Sequence, residues 1–348
     1  MLFLNRKKKI IVGIILIVIF ALCFVPSQKT NSKYKLNIVS TYGDNEAYHP
    51  KVLSFKSAWN GYKYWMSYTP YPKGDDSKEN PHIAVSNDLI NWKTILNLDE
   101  PMHTQPQKRY NSDAHIVYND KLNRLECYWR YVDDVEDKAI IYRRFTTDGY
   151  NWSKKEIAFI EDPRSEKDCV SPAILFEDGI YKMWYVDKNN TIKYTTSLDG
   201  KEWKEIKILK MNHEEPVKTW HLDVIHTEKG YEMLVVAFEN WQLHNDMSLY
   251  YSISSDGIEW KMAKAIMRPT TKTINWDNKG IYRSSFIYED GIYYVYYSGT
   301  NRKLHHGIGL VYGKDIYNLK ENTTNYKNNK NIESLKKKIN VERTLYKN

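Results

Sequence analysis

One pattern recurs five times along this 348-residue chain, and it restricts the fold more than any other feature. A polar residue opens an apolar run, a turn follows, and an aromatic run comes back. Three copies align closely: VSPAILFEDG from Val170 before IYKMWYV, HLDVIHTEKG from His221 before YEMLVVAF, and YRSSFIYEDG from Tyr282 before IYYVYYSG. Two copies with longer turns lie upstream, HPKVLSF from His49 leading to GYKYWMSYTPYP, and SDAHIVY from Ser112 leading to RLECYWRYV.

A second signature, [ST]-x-D-x-x-x-W, closes four of the five units at Ser86–Trp92, Thr146–Trp152, Ser197–Trp203 and Ser254–Trp260. Glycine follows the Asp in three of them, which suits a tight turn, and the hydroxyl and carboxylate can bond the turn backbone. The Trp-to-Trp steps are 60, 51 and 57 residues, room for some four short strands per unit. The fifth unit ends in Tyr312-Gly-Lys-Asp315 without the Trp, as terminal repeats often do. A unit of this size cannot bury its faces alone, and radial closure removes the exposed edges. The expectation is an all-β fold, a five-bladed β-propeller over residues 42–318. Aromatic residues make up 14% of the chain, with 29 Tyr, as strand-rich and sugar-binding proteins both favour.

In a propeller the first strand of each blade lines the central channel, and the five strand starts converge at one mouth. Those starts are Tyr48-His49-Pro50, Asn111-Ser112-Asp113, Val170-Ser171-Pro172, Trp220-His221-Leu222-Asp223 and Tyr282-Arg283-Ser284. Polar groups gathered at one point are costly to bury without partners, so a ligand site is expected there, with a water-filled or ion-plugged channel as the alternative. Asp113 falls opposite Ser171 and Arg283. Counting back from the turn glycine sets Asp223 opposite Pro172 and Ser284, an offset of one residue that would change its face. Glu79 opens the third strand of the first unit and belongs to the same mouth. The loops Val132–Lys138, Asn240–Asp246 and Thr300–His306 add Trp241, His244, Arg302, His305 and His306; Trp241 could stack on a sugar face.

The starts S/D-P-x-[IV]-x-F…DGxYYMxY with S-x-D-G-x-x-W turns resemble the five-bladed propellers of glycoside hydrolase families 43, 32 and 68. The resemblance covers nearly the whole propeller. It implies a first-blade Asp as base or nucleophile, a second-blade Asp that orients substrate, and a third-blade Glu just ahead of a Pro as general acid. Asp113 matches the second of these. His49 stands at the first position and Val170 at the third, with Asp168 and Glu166 nearby but out of register. Glycoside cleavage needs two carboxyl groups about 5–5.5 Å or about 6.5–9.5 Å apart, one of them with a raised pKa. Two of Glu79, Asp113 and Asp223 are the expected catalytic pair. His49, His221, Arg283, Ser171 and Trp241 are expected to bind substrate, with Arg283 suited to a carboxylate or phosphate on the glycan.

The net charge of +8 is unevenly placed. Residues 1–35 carry +7 and residues 323–348 carry +5, which leaves −4 for 36–322. That acidic body argues against a nucleic-acid surface. Arg6-Lys7-Lys8-Lys9 precedes sixteen apolar or Gly residues, Ile10–Val25. This reads as a signal anchor with residues 1–9 cytoplasmic and the propeller outside the cell, or as a cleaved signal peptide of a secreted protein. A linker over 26–41 and a polar, basic tail over 319–348, mobile or carrying a weak amphipathic helix at Ile332–Tyr346, complete the expected organisation. Cys127 and Cys169 could pair, or be buried thiols. Phosphate loops, H-E-x-x-H, C-x-x-C and a nucleophile elbow are absent from the sequence. No cofactor or metal is called for, and a channel calcium has no support in the motifs. The expected function is an extracytoplasmic, glycosidase-like enzyme acting on an oligo- or polysaccharide. The alternatives are a non-catalytic polysaccharide-binding propeller of the cell envelope and a protein-interaction platform.

Overall fold

The computed structural model describes residues 31–99, 109–136, 138–161, 169–239, 247–271 and 275–347. The expected anchor at 10–25, Trp241, His244, Asp168 and Glu166 lie outside these residues. Among the described residues no helix is long and apolar enough to cross a membrane.

The five repeats are five antiparallel sheets. The first blade holds β1 Ala47–Trp59, β2 Tyr62–Pro70, β3 His82–Ser86 and β4 Lys93–Asn97. The second holds β5 Arg109–Asn119, β6 Arg124–Asp133, β7 Lys138–Thr146 and β8 Glu156–Glu161. The third holds β9 Val170–Glu177, β10 Ile180–Val186, β11 Ile192–Ser197 and β12 Lys207–Leu209. The fourth holds β13 Lys218–Thr227, β14 Gly230–Phe238, β15 Ser248–Ser254 and β16 Lys264–Met267. The fifth has three strands, β17 Gly280–Glu289, β18 Ile292–Thr300 and β19 His306–Gly313. The inner strands pack in the order β1, β5, β9, β13, β17 and back to β1, so the ring is closed.

The repeated turn works as its chemistry requires. Asp148 Oδ1 accepts from the backbone N–H of Tyr150 (2.8 Å) and Asn151 (2.7 Å), and Thr146 Oγ1 accepts from Gly149 N–H at 2.9 Å. The same bonds recur around Asp199 and Asp256. Gly149 has φ +80°, and a Cβ there would stand 2.3 Å from the ring of Trp65, so the turn needs glycine for its backbone and for the packing beneath it. Between blades the core is aromatic: Trp65, Trp129 and Trp184 on the central strands are fully buried.

Both ends of the chain pack on the ring, in place of a free linker and a mobile tail, and the amphipathic helix expected at Ile332–Tyr346 is present. Leu36 N–H donates to Ile308 O at 2.7 Å, so the residues before the first blade run along β19, the open edge of the three-stranded fifth blade. Residues 329–347 form helix α1, Asn329–Lys347. Its Ile332, Leu335 and Ile339 share one core cluster with Leu36, Ile38, Ile287 and Tyr294. Lys336 pairs with Asp88 of the first blade (2.9 Å) and Arg343 with Glu289 of the fifth (3.2 Å), so α1 bridges the seam where the ring closes. Three apolar side chains at helical spacing are enough to dock a segment whose composition is otherwise polar. Cys127 and Cys169 are buried and not joined in a disulfide.

Candidate functional site

Every inner strand carries one extra residue near its start. The register slips between Tyr48 and Lys51, Ser112 and His115, Val170 and Ala173, Thr219 and His221, and Tyr282 and Ser284. A bulge re-aims a strand end and is common beside functional sites. In the first three blades it places His49 (φ 52°), Asp113 (φ 54°) and Ser171 (φ 55°) in the left-handed region. Such residues cost roughly 1–3 kcal/mol each and persist only where the surroundings enforce them.

Pairing with the central strands fixes which residues share a level. Lys51 faces Ser67, His115 faces Tyr128, Ala173 faces Trp184, Asp223 faces Leu234 and Ser285 faces Tyr296. Two residues before each, toward the mouth, stand His49, Asp113, Ser171, His221 and Arg283. These five form the upper ring and the first five the ring beneath it. Asp223 therefore does not belong with Pro172 and Ser284. The hairpin of the fourth blade pairs Thr227 with Gly230, so its loop is Glu228-Lys229 and the count from Gly230 is one residue out. The true offset from Asp113 is two residues, which keeps the face and changes the depth.

The upper ring opens into a cavity of ≈ 390 Å³ whose walls include His49, Glu79, Asp113, Val170, His221 and Tyr282. Its polar groups are incompletely paired. Asp113 Oδ2 accepts from Ser171 N–H at 3.2 Å, while Oδ1 is buried with no hydrogen bond. Around that oxygen stand Arg283 Nη1 at 3.5 Å and His221 Nδ1 at 3.7 Å. Arg283 Nη1 and both ring nitrogens of His221 also lack partners, as does His49 Nε2. His49 Nδ1 lies 2.7 Å from Thr69 Oγ1 and 3.5 Å from Glu79 Oε1. Arg283 Nη2 donates to Pro172 O at 2.9 Å, which fixes the guanidinium. Buried polar atoms without protein partners call for a partner, which water or a ligand can supply.

Burial holds His49 well below the usual imidazole range and lowers His221 to about 3, so both rings are neutral. Burial works against the Asp113 carboxylate, but His221, Arg283, His49 and Arg130 around it bring its pKa to about 2. Of these the arginines carry the charge. Burial, with Asp76 and Asp113 nearby, pushes Glu79 well above the usual carboxylate range. The two carboxyls at the mouth are thus driven in opposite directions, Asp113 toward the ionised form and Glu79 toward the protonated one.

Asp223 stands outside the cavity walls. Its Oδ1 pairs with Lys51 Nζ at 2.7 Å and its Oδ2 accepts from Phe286 N–H at 3.4 Å, both in the lower ring level. Asp223, expected among the catalytic carboxylates, is instead ion-paired with Lys51 beneath the cavity and does not line it. Of the loop residues, His306 joins the cavity wall, whereas His305 is exposed and bonds Glu46 at 2.7 Å. Tyr48 and Trp220 of the strand starts also line the cavity, together with Tyr71, Tyr110, Arg130 and Lys279, which nothing in the sequence placed at the mouth. Tyr48 and Tyr282 stack at 5.3 Å with 10° between planes, and Tyr71 continues the stack at 5.9 Å. Arg130 could have been found by register, since it faces Ser112 across the hairpin. Asp113, His221 and His49 are the donor types that hold a divalent cation, though among the described residues no three His, Cys, Asp or Glu side chains have the spacing to do so.

No family profile matches the sequence. A curated relative, an "A type blood N-acetyl-alpha-D-galactosamine deacetylase" of Flavonifractor plautii, is 28% identical over 328 residues, 76% of this chain and 42% of its own length. The chain thus spans under half of that relative. A crystal structure of an N-acetylgalactosamine deacetylase from F. plautii with blood group B trisaccharide superposes with a TM-score of 0.72 at 22% identity, over 82% of this chain and 95% of that one. A thermostable family-43 glycoside hydrolase superposes with a TM-score of 0.55 at 15% identity, over 82% and 95%. The fold is that of the family-43 glycoside hydrolase propellers. Its mouth departs from the three-carboxylate set that the resemblance implied, keeping Asp113 and presenting His49 and Val170 at the other two positions.

Proposed function

We propose that this protein is a carbohydrate hydrolase that takes the end of a glycan into the mouth of the propeller and removes an N-acyl group from an amino sugar there. The observation that carries the reading is the open polar set around Asp113 Oδ1, with Arg283 Nη1 and both nitrogens of neutral His221 unpartnered beside it. Amide hydrolysis needs a base for water, a donor for the oxyanion and an acid for the leaving amine. Asp113, ionised, accepts the proton of a water held between it and His221. Arg283 Nη1 donates to the oxygen that becomes the oxyanion. Protonated Glu79 donates to the departing amine. The Tyr48–Tyr282–Tyr71 stack gives the sugar an apolar wall. The likeness at sequence level to a GalNAc deacetylase supports the choice of bond.

Glycoside hydrolysis is the second reading, favoured by the opposed protonation of Glu79 and Asp113, which would then be acid and base across a glycosidic bond. The basic flank and apolar run at 6–25 support a propeller held outside the cell at the membrane, where envelope glycans are within reach.

The test offers the purified protein oligosaccharides ending in N-acetylhexosamine, with and without chelator, beside a panel of chromogenic glycosides. Loss of an acetyl group by mass spectrometry, abolished in Asp113→Asn, supports the first reading. Release of free sugar supports the second. Binding of the oligosaccharides with neither product refutes both and leaves a sugar-binding propeller.

A further inference from the structure

On the face opposite the mouth, a groove of ≈ 540 Å³ runs between the fourth and fifth blades. It lies where the β13–β14 hairpin, the Asp256 turn and the chain after β19 meet, at the strand ends farthest from the upper ring. Four lysines line it, Lys229, Lys261, Lys264 and Lys314, against one acid, Asp315. The lining thus carries four lysines and one acid, above the buried carboxyl of Glu232, on a body, residues 36–322, whose net charge is −4. Like charges are therefore concentrated where the rest of the surface would not place them.

The floor is rigid. Glu232 is fully buried, and its Oε2 accepts from the hydroxyls of Tyr251 and Tyr293, each at 2.5 Å. Lys229 Nζ donates to Tyr293 Oη at 2.8 Å and lies 4.0 Å from the Tyr288 ring centre, which anchors one cation beside the floor. The other three lysines make no salt bridge among the described residues. Tyr317 stands over the groove 47% exposed, edge-on to Tyr251 at 5.6 Å, and its own backbone N–H bonds Asp315 Oδ1 at 3.0 Å. Asp315 is thereby spent on the turn, and its charge is partly satisfied there.

We infer that this groove is a second binding site, for an anionic polysaccharide. A concave strip with unpaired lysine heads and a fixed exposed tyrosine fits a chain that presents carboxylate or phosphate groups at intervals and sugar faces between them. A neutral glycan would leave three ammonium groups without use. The site stands across the molecule from the mouth, so it holds a polymer while leaving the mouth free for a chain end.

The 348-residue chain in detergent is titrated with fluorescent polygalacturonate and a phosphodiester-linked hexose polymer, with neutral dextran as control. At least one polyanion binds, weakens as salt rises, and binds about tenfold less tightly to Lys261→Gln/Lys264→Gln/Lys314→Gln, as three exposed ion pairs would give. Which polyanion binds separates the carboxylate source from the phosphate one. The substituted lysines are exposed and the variant's melting temperature is unchanged. The inference is overturned if neither polyanion exceeds dextran, if the triple variant binds as the parent does, or if the lysines govern binding to anionic lipid vesicles and not to the glycans. The readout is binding, so it stands or falls separately from turnover at the mouth.

Discussion

Replacing Lys51 by methionine removes the ion partner of Asp223 at a buried position. The pair is 2.7 Å long with both side chains 2% exposed, beneath the floor of the mouth. At an effective dielectric of about 20 its attraction is roughly 6 kcal/mol, but desolvating each ion costs several kcal/mol, so the intact pair is near neutral in stability. Removing one partner keeps the cost and loses the attraction, and Lys51→Met is expected to lose about 3–5 kcal/mol. Asp223→Asn should lose less, because burial lowers the pKa of Lys51 and the amine can shed its proton. Lys51→Met with Asp223→Asn carries no charge and keeps the acceptor for Phe286 N–H, so it should return to within about 1–2 kcal/mol of the parent. Urea unfolding at neutral pH, followed by tryptophan fluorescence, measures all three. A Lys51→Met loss below about 1 kcal/mol, or a double variant no better than the single one, would refute the reasoning.

Three further outcomes follow from the same geometry. Glu79 has a folded pKa raised above 4.5, so its contribution to stability is complete below that value and fades as pH rises through the folded pKa; Glu79→Gln should flatten the alkaline side of the stability profile and lower kcat by roughly 10²–10⁴-fold. Asp113 is depressed from 3.8 to about 2, so its contribution is present above the unfolded value and lost as pH falls through about 2; in Asp113→Asn the melting temperature should vary less across that acid window than in the parent. Leu335→Ala, 3% exposed on α1 at the seam of the ring, should cost about 2–5 kcal/mol by thermal or urea unfolding, whereas a free tail would show no change.

The repeat was legible because it is local. Turn chemistry at Asp148 and Asp256, alternation along the strands and a fixed spacing between tryptophans each act within a few residues, and together they leave a five-bladed ring as the closed solution. Asp113, His49, Ser171, His221 and Arg283 were also found by alignment alone, since equivalent positions in equivalent strands must meet at the axis. Glu79 was found from strand direction. What failed was counting across a hairpin whose glycine is displaced, which put Asp223 at the wrong level. Tyr71 and Lys279 carry no signal in a single sequence, because their place in the wall is set by loops that approach from different blades.

The sequence by itself thus determined the ring, its repeat and the inner-strand starts that gather at one end of it, because periodicity and turn residues act through short-range sterics and hydrogen bonds. Only the tertiary structure decided the rest. Depth along the channel separates Asp113 from Asp223, and whether a carboxyl is ionised depends on which charges the other blades bring within a few ångströms of it. The docking of α1 has the same cause: its three buried apolar residues, Ile332, Leu335 and Ile339, have no partner in their own neighbourhood, and the surface that buries them exists only after the first and fifth blades have met.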